Sequence, residues 1–326
     1  MINVGFIGAG GIAETHAEAL TQVDGARLTA VMDVDRGRAE ALASRFGGSA
    51  VAGLEELLTF SGLDIVYILT PPHVHTGQIL SAVEARLPVF CEKPLTMTLE
   101  EADRVIDVAR SAGVPLMTGL SHRYHPLACQ ARTLLSDGKL GDFVAAWSHR
   151  LIQLEVSPGT WLSRRELSGG VALQYAMHDL DWMGWLGGEV DQVAAQEYHT
   201  NPEIGIEDNL WSLLLFRNGG SGSLGVSWTA RDPHTERGLV GSRGNLRIIQ
   251  QRQMVGQAAD GSAIQVDLGA NYEWHDVFVR ENKDIIQRLA RGEPFAISGE
   301  DGRRALEISL AVQHAALTRQ MVRLPG

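Results

Sequence analysis

The twelve residues GFIGAGGIAETH, which end the apolar run NVGFIG and open a helical stretch, constrain the fold of this chain more than any other segment. Gly8, Gly10 and Ala13 satisfy GxGxx(G/A) between a strand and a helix. In that pattern Gly8 permits the tight turn, Gly10 lets the backbone approach a pyrophosphate, and Ala13 allows close helix packing. Gly11 and Ile12 open the helix, whose first N–H groups and dipole attract an anion. Asp33 stands twenty residues beyond Ala13, at the end of the second apolar run LTAVMDV, where a carboxylate accepts hydrogen bonds from an adenosine ribose. Together these features predict a dinucleotide-binding βαβ unit. The Asp33 charge would repel the 2′-phosphate of NADP and leave the free hydroxyls of NAD welcome, so NAD is expected over NADP. Arg36 and Arg38 follow closely and would neutralise a phosphate if turned inward; they are read as solvated side chains on the first turn of the next helix.

Five short runs, NVGFIG, LTAVMDV, DIVYILT, LPVFCEKP and VPLMTGL, alternate with amphipathic segments such as IAETHAEALTQV and RGRAEALASRF. Strands this continuously apolar belong to a parallel sheet covered on both faces, which predicts a doubly wound α/β domain over residues 1–121. From residue 122 the texture changes. DFVAAWSHRLI, DQVAAQEYHT, NLWSLLLFRNGGSGSLGVSWTA, RGLVGSRGNLRIIQ and SAIQVDL alternate in character, and FRNGGSGSLG carries hairpin-turn residues. An α/β domain on a large, mostly antiparallel open sheet is expected over 122–326, with WHDVFVRENKDIIQRLA packing back on the first domain as an amphipathic helix. The open face of such a sheet finds cover in another subunit, so a homodimer or homotetramer through it is expected.

Composition narrows the partners. Across 326 residues, Lys plus Arg number 28 against 39 Asp plus Glu, a net charge of −11 without long like-charge runs, which leaves no basic surface for nucleic acid. No stretch approaches the ~18 apolar residues of a membrane span, and MINVGFIGAGGIA has neither the basic start nor the cleavage zone of a signal peptide. Cys91 and Cys129 stand in unrelated contexts, which excludes a disulfide framework and a CxxC site. The cytoplasm is the expected compartment. His73 and His75 have no acidic or cysteine partner at ligand spacing, so no metal is expected.

The combination of GFIGAGGIAETHAEAL, ILTPPHVHTGQIL, VFCEKPLTMTLEEAD, SGGVALQYAMHDLDWMGWL and FAISGEDGRRALEISLAVQHAA resembles the glucose-fructose oxidoreductase and inositol dehydrogenase family over essentially the whole chain. The resemblance implies an N-terminal Rossmann domain, a C-terminal α/β domain with an open sheet, and NAD(P)-dependent oxidation or reduction of sugars, polyols and related compounds. In the family the lysine matching Lys93, often before a cis proline, contacts substrate hydroxyl and cofactor. The residues give Lys93 the same emphasis: it sits between Glu92 and Pro94 at the carboxyl end of an apolar strand, where open α/β sheets place ligands. As a cation it can stabilise the oxygen that gains charge as hydride leaves carbon. Thr70, Pro71 and Pro72 end a neighbouring strand and would wall the cofactor, and the resemblance places His75 near the nicotinamide ribose, with Glu92 and Trp161 also on the cofactor side.

The second chemical element lies in GGVALQYAMHDLDWMGWLGG. A helix opened by Gly169 and Gly170 puts Gln174 and His178 four residues apart on one face, followed by Asp181 and Trp182. His178 can take a hydroxyl proton near neutral pH, which alcohol oxidation requires. Here the chain departs from the family, whose aspartate four residues before the histidine is replaced by Gln174, and whose glycine two before it is replaced by Ala176. Gln174 can bind a hydroxyl but brings no charge. An unusual substrate, a proton path through Asp179 or Asp181, or weakened catalysis remain open. His122, Arg123 and Tyr124, after the last strand of the first domain, are candidates to line the cleft, with Arg123 and Tyr124 as candidate substrate contacts. The reading is an NAD-linked oxidoreductase acting on a carbinol or carbonyl carbon of a sugar, cyclitol or derivative, with Lys93 polarising the oxygen and His178 carrying the proton. The alternatives are a dehydrogenase of a cyclic hemiacetal or acidic aldehyde, with Arg123 meeting a carboxylate, and a non-catalytic dinucleotide-binding sensor.

Overall fold

The computed structural model describes residues 1–325 and divides them into two compact units: Met1–Ser121 with Glu273–Arg303, and His122–Tyr272 with the chain from Arg304 onward.

In the first unit the strands β1 (Ile2–Ile7), β2 (Ala26–Met32), β3 (Ser49–Ala50), β4 (Ile65–Ile68), β5 (Val89–Glu92) and β6 (Leu116–Gly119) form a parallel sheet in the order β3-β2-β1-β4-β5-β6. The helices α1 (Gly11–Leu20), α2 (Arg36–Phe46), α3 (Leu54–Leu58), α4 (His75–Glu84) and α5 (Leu99–Ala112) connect them. Every residue of β4 and β5 is buried, which is why these runs read as continuously apolar. On adjacent strands Phe6 stacks on Tyr67 with centroids 5.5 Å apart, and Tyr67 meets Phe90 at 4.6 Å with the rings tilted by 42°. The strand order reverses between β1 and β4, and the crevice outside the carboxyl ends at such a switch point is where open α/β sheets bind ligands. Gly8 and Thr70 stand there. Thr98 and Glu101 form a capping box that starts α5 just beyond the Lys93 turn.

The second unit holds α6 (Pro126–Ser136), β7 (Phe143–Gln153), α7 (Arg165–Ser168), α8 (Met177–Gly187), β8 (Val190–Tyr198), β9 (Asn209–Phe216), β10 (Ser221–Ser227), β11 (Thr229–Gly241), β12 (Asn245–Ile249), β13 (Gln253–Gln257), β14 (Ala263–Asp267) and β15 (Val322–Arg323). Its nine strands run in the order β14-β13-β12-β11-β7-β10-β9-β8-β15, antiparallel except for the β7–β10 pair. The segment FRNGGSGSLG makes the β9–β10 hairpin. Along β9 Leu210, Ser212, Leu214 and Phe216 are buried, whereas Trp211, Leu213 and Leu215 are exposed by 47, 61 and 44%. Alternation of this kind follows from a sheet with one covered and one open face; α8 packs against β7 and β10 on the covered face.

The helix α9 (His275–Arg291) returns to the first unit and packs on α1, and α10 (Gly299–Thr318) follows. The apolar face of α9 holds Val277, Phe278, Ile285 and Ile286, all buried. No helix among the described residues is long and apolar enough to cross a membrane.

Candidate active site

Gly8 has φ +106°, and a Cβ there would lie 2.7 Å from the Leu69 carbonyl oxygen, so both conformation and space require glycine. Gly10 is the N-cap of α1, without a side-chain cap, and no atom lies within 4 Å of where a Cβ of Gly10 or Gly11 would stand. Ile12 is half-buried and Ala13 fully buried. The helix start therefore presents uncapped N–H donors to open space, the arrangement a pyrophosphate fits. Asp33 accepts from Ala9 N–H at 2.7 Å through Oδ2 and from Asp35 N–H at 2.8 Å through Oδ1. These bonds aim its carboxylate at the glycine turn while leaving lone pairs for ribose hydroxyls. Arg36 pairs with Glu40 at 2.7 Å and Arg38 with Asp35 at 3.3 Å, both on exposed side chains. Neither arginine is turned inward.

At the end of β5, Glu92 Oε2 accepts from Lys93 N–H at 3.0 Å and Oε1 lies 3.1 Å from His16 Nε2. Asn282 Nδ2, which donates to the Phe278 carbonyl at 2.8 Å, is 3.0 Å from His16 Nδ1. An amide nitrogen can only donate, so His16 Nδ1 is the acceptor and its ring hydrogen sits on Nε2, directed at Glu92. Buried His16 and Asn282 thus orient the carboxylate that holds the backbone of Lys93. The Lys93–Pro94 peptide bond is cis. Lys93 itself is half-buried. The Thr70 hydroxyl donates to Gln78 at 2.6 Å, Pro71 is half-buried and Pro72 buried. His75, which the resemblance places near the nicotinamide ribose, is fully buried, its ring nitrogens 2.9 Å from the Pro94 carbonyl and 2.8 Å from the Thr70 carbonyl.

In the second unit the glycine pair has a physical cause. Gly170 has φ +73°, and a Cβ there would lie 2.5 Å from Glu207 Oε2. Glu207 reaches under this turn to accept from Ala172 N–H at 3.1 Å, and it is paired with Arg165 at 2.9 Å. Burial pushes its carboxyl up despite Arg165. Where a single regular helix was expected, Ala172–Ala176 is π-helical and α8 starts at Met177. Inserted π turns recur at functional sites. Gln174 donates to the Ser168 carbonyl at 2.6 Å, tying the π turn to the loop before it, a bond an aspartate could not donate.

His178, half-buried, stacks on buried His122 with centroids 4.1 Å apart and planes 8° from parallel. His122 Nδ1 is hydrogen-bonded to Arg237 Nη2, and since a guanidinium only donates, Nδ1 is the acceptor. Burial, then His178, Arg237, Arg150 and His125, holds the proton affinity of His122 well below that of ordinary histidine. The ring is therefore a neutral plate beneath His178. Arg237 Nε donates to Asp179 Oδ1 at 2.8 Å, where Ser148 also donates at 2.7 Å, and Arg150 donates to Oδ2 at 3.1 Å. Burial pushes the Asp179 carboxyl up, but Arg237, Arg150 and Ser148 outweigh it and hold it below the usual carboxylate range. Arg150 also lies over the Tyr175 ring at 3.8 Å.

Arg123 and Asp181, both read as substrate contacts, make a two-pronged pair with each other, Nε to Oδ2 at 2.9 Å and Nη2 to Oδ1 at 2.7 Å. Asp179 and Asp181, read as alternative proton carriers, are both held by arginines. Tyr124 is half-buried, Trp161 is 37% exposed in the loop before α7, and Trp182 is fully buried. The sequence reading missed His16, Asn282, Arg150, Arg237 and Glu207. Part of the signal was present: Ser148 and Arg150 occupy inward positions of β7, and a charge at an inward strand position demands a buried partner.

Comparison with known proteins accords with this geometry. Residues 2–120 match the oxidoreductase family model with an NAD-binding Rossmann fold, and residues 129–247 match the GFO/IDH/MocA C-terminal domain. A 1,5-anhydro-D-fructose reductase of Ensifer adhaerens is 30% identical over 329 residues, covering 97% of this chain and 96% of the relative. The chain belongs to the GFO/IDH/MocA oxidoreductase family. A myo-inositol 2-dehydrogenase of Thermotoga maritima is 28% identical, covering 99% of this chain and 98% of the relative. Levoglucosan dehydrogenase in complex with NADH shares the fold with a TM-score of 0.92 over 99% of each chain, at 20% identity. For a GFO/IDH/MocA oxidoreductase with an NAD-binding fold, the Asp33 geometry makes a direct prediction. Fluorescence titration should show tighter binding of NADH than NADPH, and Asp33→Ser should narrow the gap by about tenfold through removal of the charge facing a 2′-phosphate. Equal affinities in the unaltered protein would assign the pocket to Arg36 or Arg38.

Proposed function

We propose that the protein transfers hydride between NAD and a carbinol or carbonyl carbon of a sugar, cyclitol or derivative, with Lys93 and His178 as its catalytic residues. The observation that carries this reading is His178 set on the neutral His122 plate, a half-buried imidazole whose neighbouring carboxylates are already engaged by arginines. In the oxidative direction His178 takes the substrate hydroxyl proton, and the Lys93 ammonium, on a residue whose backbone N–H Glu92 holds at the end of β5, stabilises the charge gathering on that oxygen. Bound NAD supplies the hydride chemistry. Gly8, Gly10, Gly11 and Ile12 would hold its pyrophosphate, Asp33 its ribose, and Thr70, Pro71 and Pro72 would wall it. Trp161 and Tyr124 complete the candidate contacts. The names of the relatives, an inositol dehydrogenase and an anhydrofructose reductase, support a polyhydroxylated substrate. A turnover screen of sugars, cyclitols and their acids with NAD and NADP in both directions tests it. NAD-linked turnover is expected; NADH binding with no turnover across the screen would favour the sensor reading.

The same reading places the protein in the cytoplasm as a homodimer or homotetramer. Trp211, Leu213, Leu215 and Tyr198 form an exposed apolar group on the open sheet face, and patches of that kind mark association sites. Leu213→Glu should shift the molar mass measured by light scattering toward the monomer. A monomeric unaltered protein would remove the sheet from this role.

A further inference from the structure

We propose that His75 is a positioning residue of the cofactor side: held as the Nε2–H tautomer, it donates to the Thr70 carbonyl and turns Nδ1 to the Cys91 thiol and the Pro94 carbonyl, so that one buried ring spaces the Thr70–Pro72 turn from the Lys93–Pro94 turn. This rests on the NAD-linked reading above. The ring nitrogens lie 2.8 Å from the Thr70 oxygen and 2.9 Å from the Pro94 oxygen, and the side chain is fully buried. Two carbonyls therefore face a ring that, uncharged, carries one hydrogen. Burial lowers the proton affinity of His75, against the pull of the Thr70 and Pro94 carbonyls and of Glu92, so the uncharged ring must choose.

Cys91 decides the choice. Burial, then Glu92, pushes its thiol well above the ordinary range, so the sulfur keeps its hydrogen. Sγ lies 3.3 Å from His75 Nδ1, 3.3 Å from the Glu92 carbonyl and 3.9 Å from the Leu95 carbonyl. With the ring hydrogen on Nδ1, Nε2 would face the Thr70 oxygen lone pair to lone pair with no donor in reach. With it on Nε2, Thr70 is bonded and Nδ1 can accept from the thiol. Each arrangement turns one ring lone pair to a carbonyl, Nε2 to Thr70 in the first and Nδ1 to Pro94 in the second, but only the second gives both nitrogens a partner, and a buried polar atom without one is costly. Through Thr70 the ring fixes the turn that would wall the cofactor; through its Nδ1 edge it abuts the turn carrying Lys93.

The two amide side chains separate the nitrogens, because glutamine reaches the place of Nε2 whereas asparagine reaches that of Nδ1. NADH titration should give His75→Gln an affinity within about threefold of the unaltered protein and His75→Asn one weaker by roughly tenfold, the loss of one buried hydrogen bond. Long-range proton–nitrogen NMR of the unaltered protein, with His75 assigned by its disappearance in His75→Gln, should show the Nε2–H tautomer. The Nδ1–H tautomer, or equal NADH affinity in both variants, overturns the assignment. Failure of the unaltered protein to bind NADH would instead overturn the NAD-linked reading, and the tautomer measurement would still judge His75. Should His75→Asn not fold, the tautomer and the affinity of His75→Gln decide.

Discussion

His178→Ala is expected to lower kcat by roughly 10²-fold or more, the scale on which a positioned acid or base contributes, while leaving NADH affinity unchanged. The substitution truncates a half-buried ring and leaves the His122–Arg237–Asp179 chain beneath it in place, so a folded protein is expected as well. Lys93→Ala should lose activity on a similar scale, because the cation that meets the charge developing on the reacting oxygen is removed. Its effect should also reach NADH binding, since Lys93 stands in the turn that ends β5. A loss made only in the transition state lowers kcat and kcat/KM together, and a loss of ordinary binding raises KM alone. The assay uses whichever polyol or sugar the turnover screen identifies. A folded His178→Ala enzyme with unaltered turnover would reject His178 as the proton carrier, with Asp179 and Asp181 poor replacements because each is already paired with arginine.

The contrast between His178 and its surroundings shows what a sequence discloses. The Rossmann half was legible because its signals are local. Continuous apolar strands, the glycine turn and Asp33 all fall within the first βαβ unit, and the backbone bonds from Ala9 and Asp35 tie Asp33 to the glycine turn. The alternation of β9 likewise gave the open sheet directly. The polar support of the site was not legible, because its members are joined across long sequence separations. His16 and Asn282 are 266 residues apart, and His122 and Arg237 are 115 apart. Nothing in SHRYHP announces that the first of its two histidines, His122, will lie flat against His178. Gln174 was legible only in part. Its position relative to the family pattern pointed to His178, and nothing local announced that its amide also donates to the Ser168 carbonyl and ties down the turn that starts the π-helical segment. The Arg123–Asp181 pair was equally hidden, since the two residues, 58 apart in sequence, were read separately and are joined by an ion pair.

Asp179→Asn should destabilise the protein by about 3–5 kcal/mol in urea unfolding at neutral pH, the range seen when one partner of a buried ion pair is removed. Asp179 is fully buried and takes hydrogen bonds from Arg237, Arg150 and Ser148. Asparagine keeps the shape and loses the charge, leaving two buried guanidiniums facing each other without a carboxylate between them. The pH dependence distinguishes this cause from a packing defect. The folded-state proton affinity of Asp179 is lower than in the unfolded chain. Its contribution is therefore complete above the unfolded carboxyl range and fades as pH falls through the depressed folded value. Asp179→Asn lacks that contribution at every pH. The stability difference between the two proteins should be largest at neutral pH and close in acid, provided both remain folded enough to titrate. A difference that stayed constant with pH would mean that the lost stability came from packing, and that the two arginines are held by something other than the charge of Asp179.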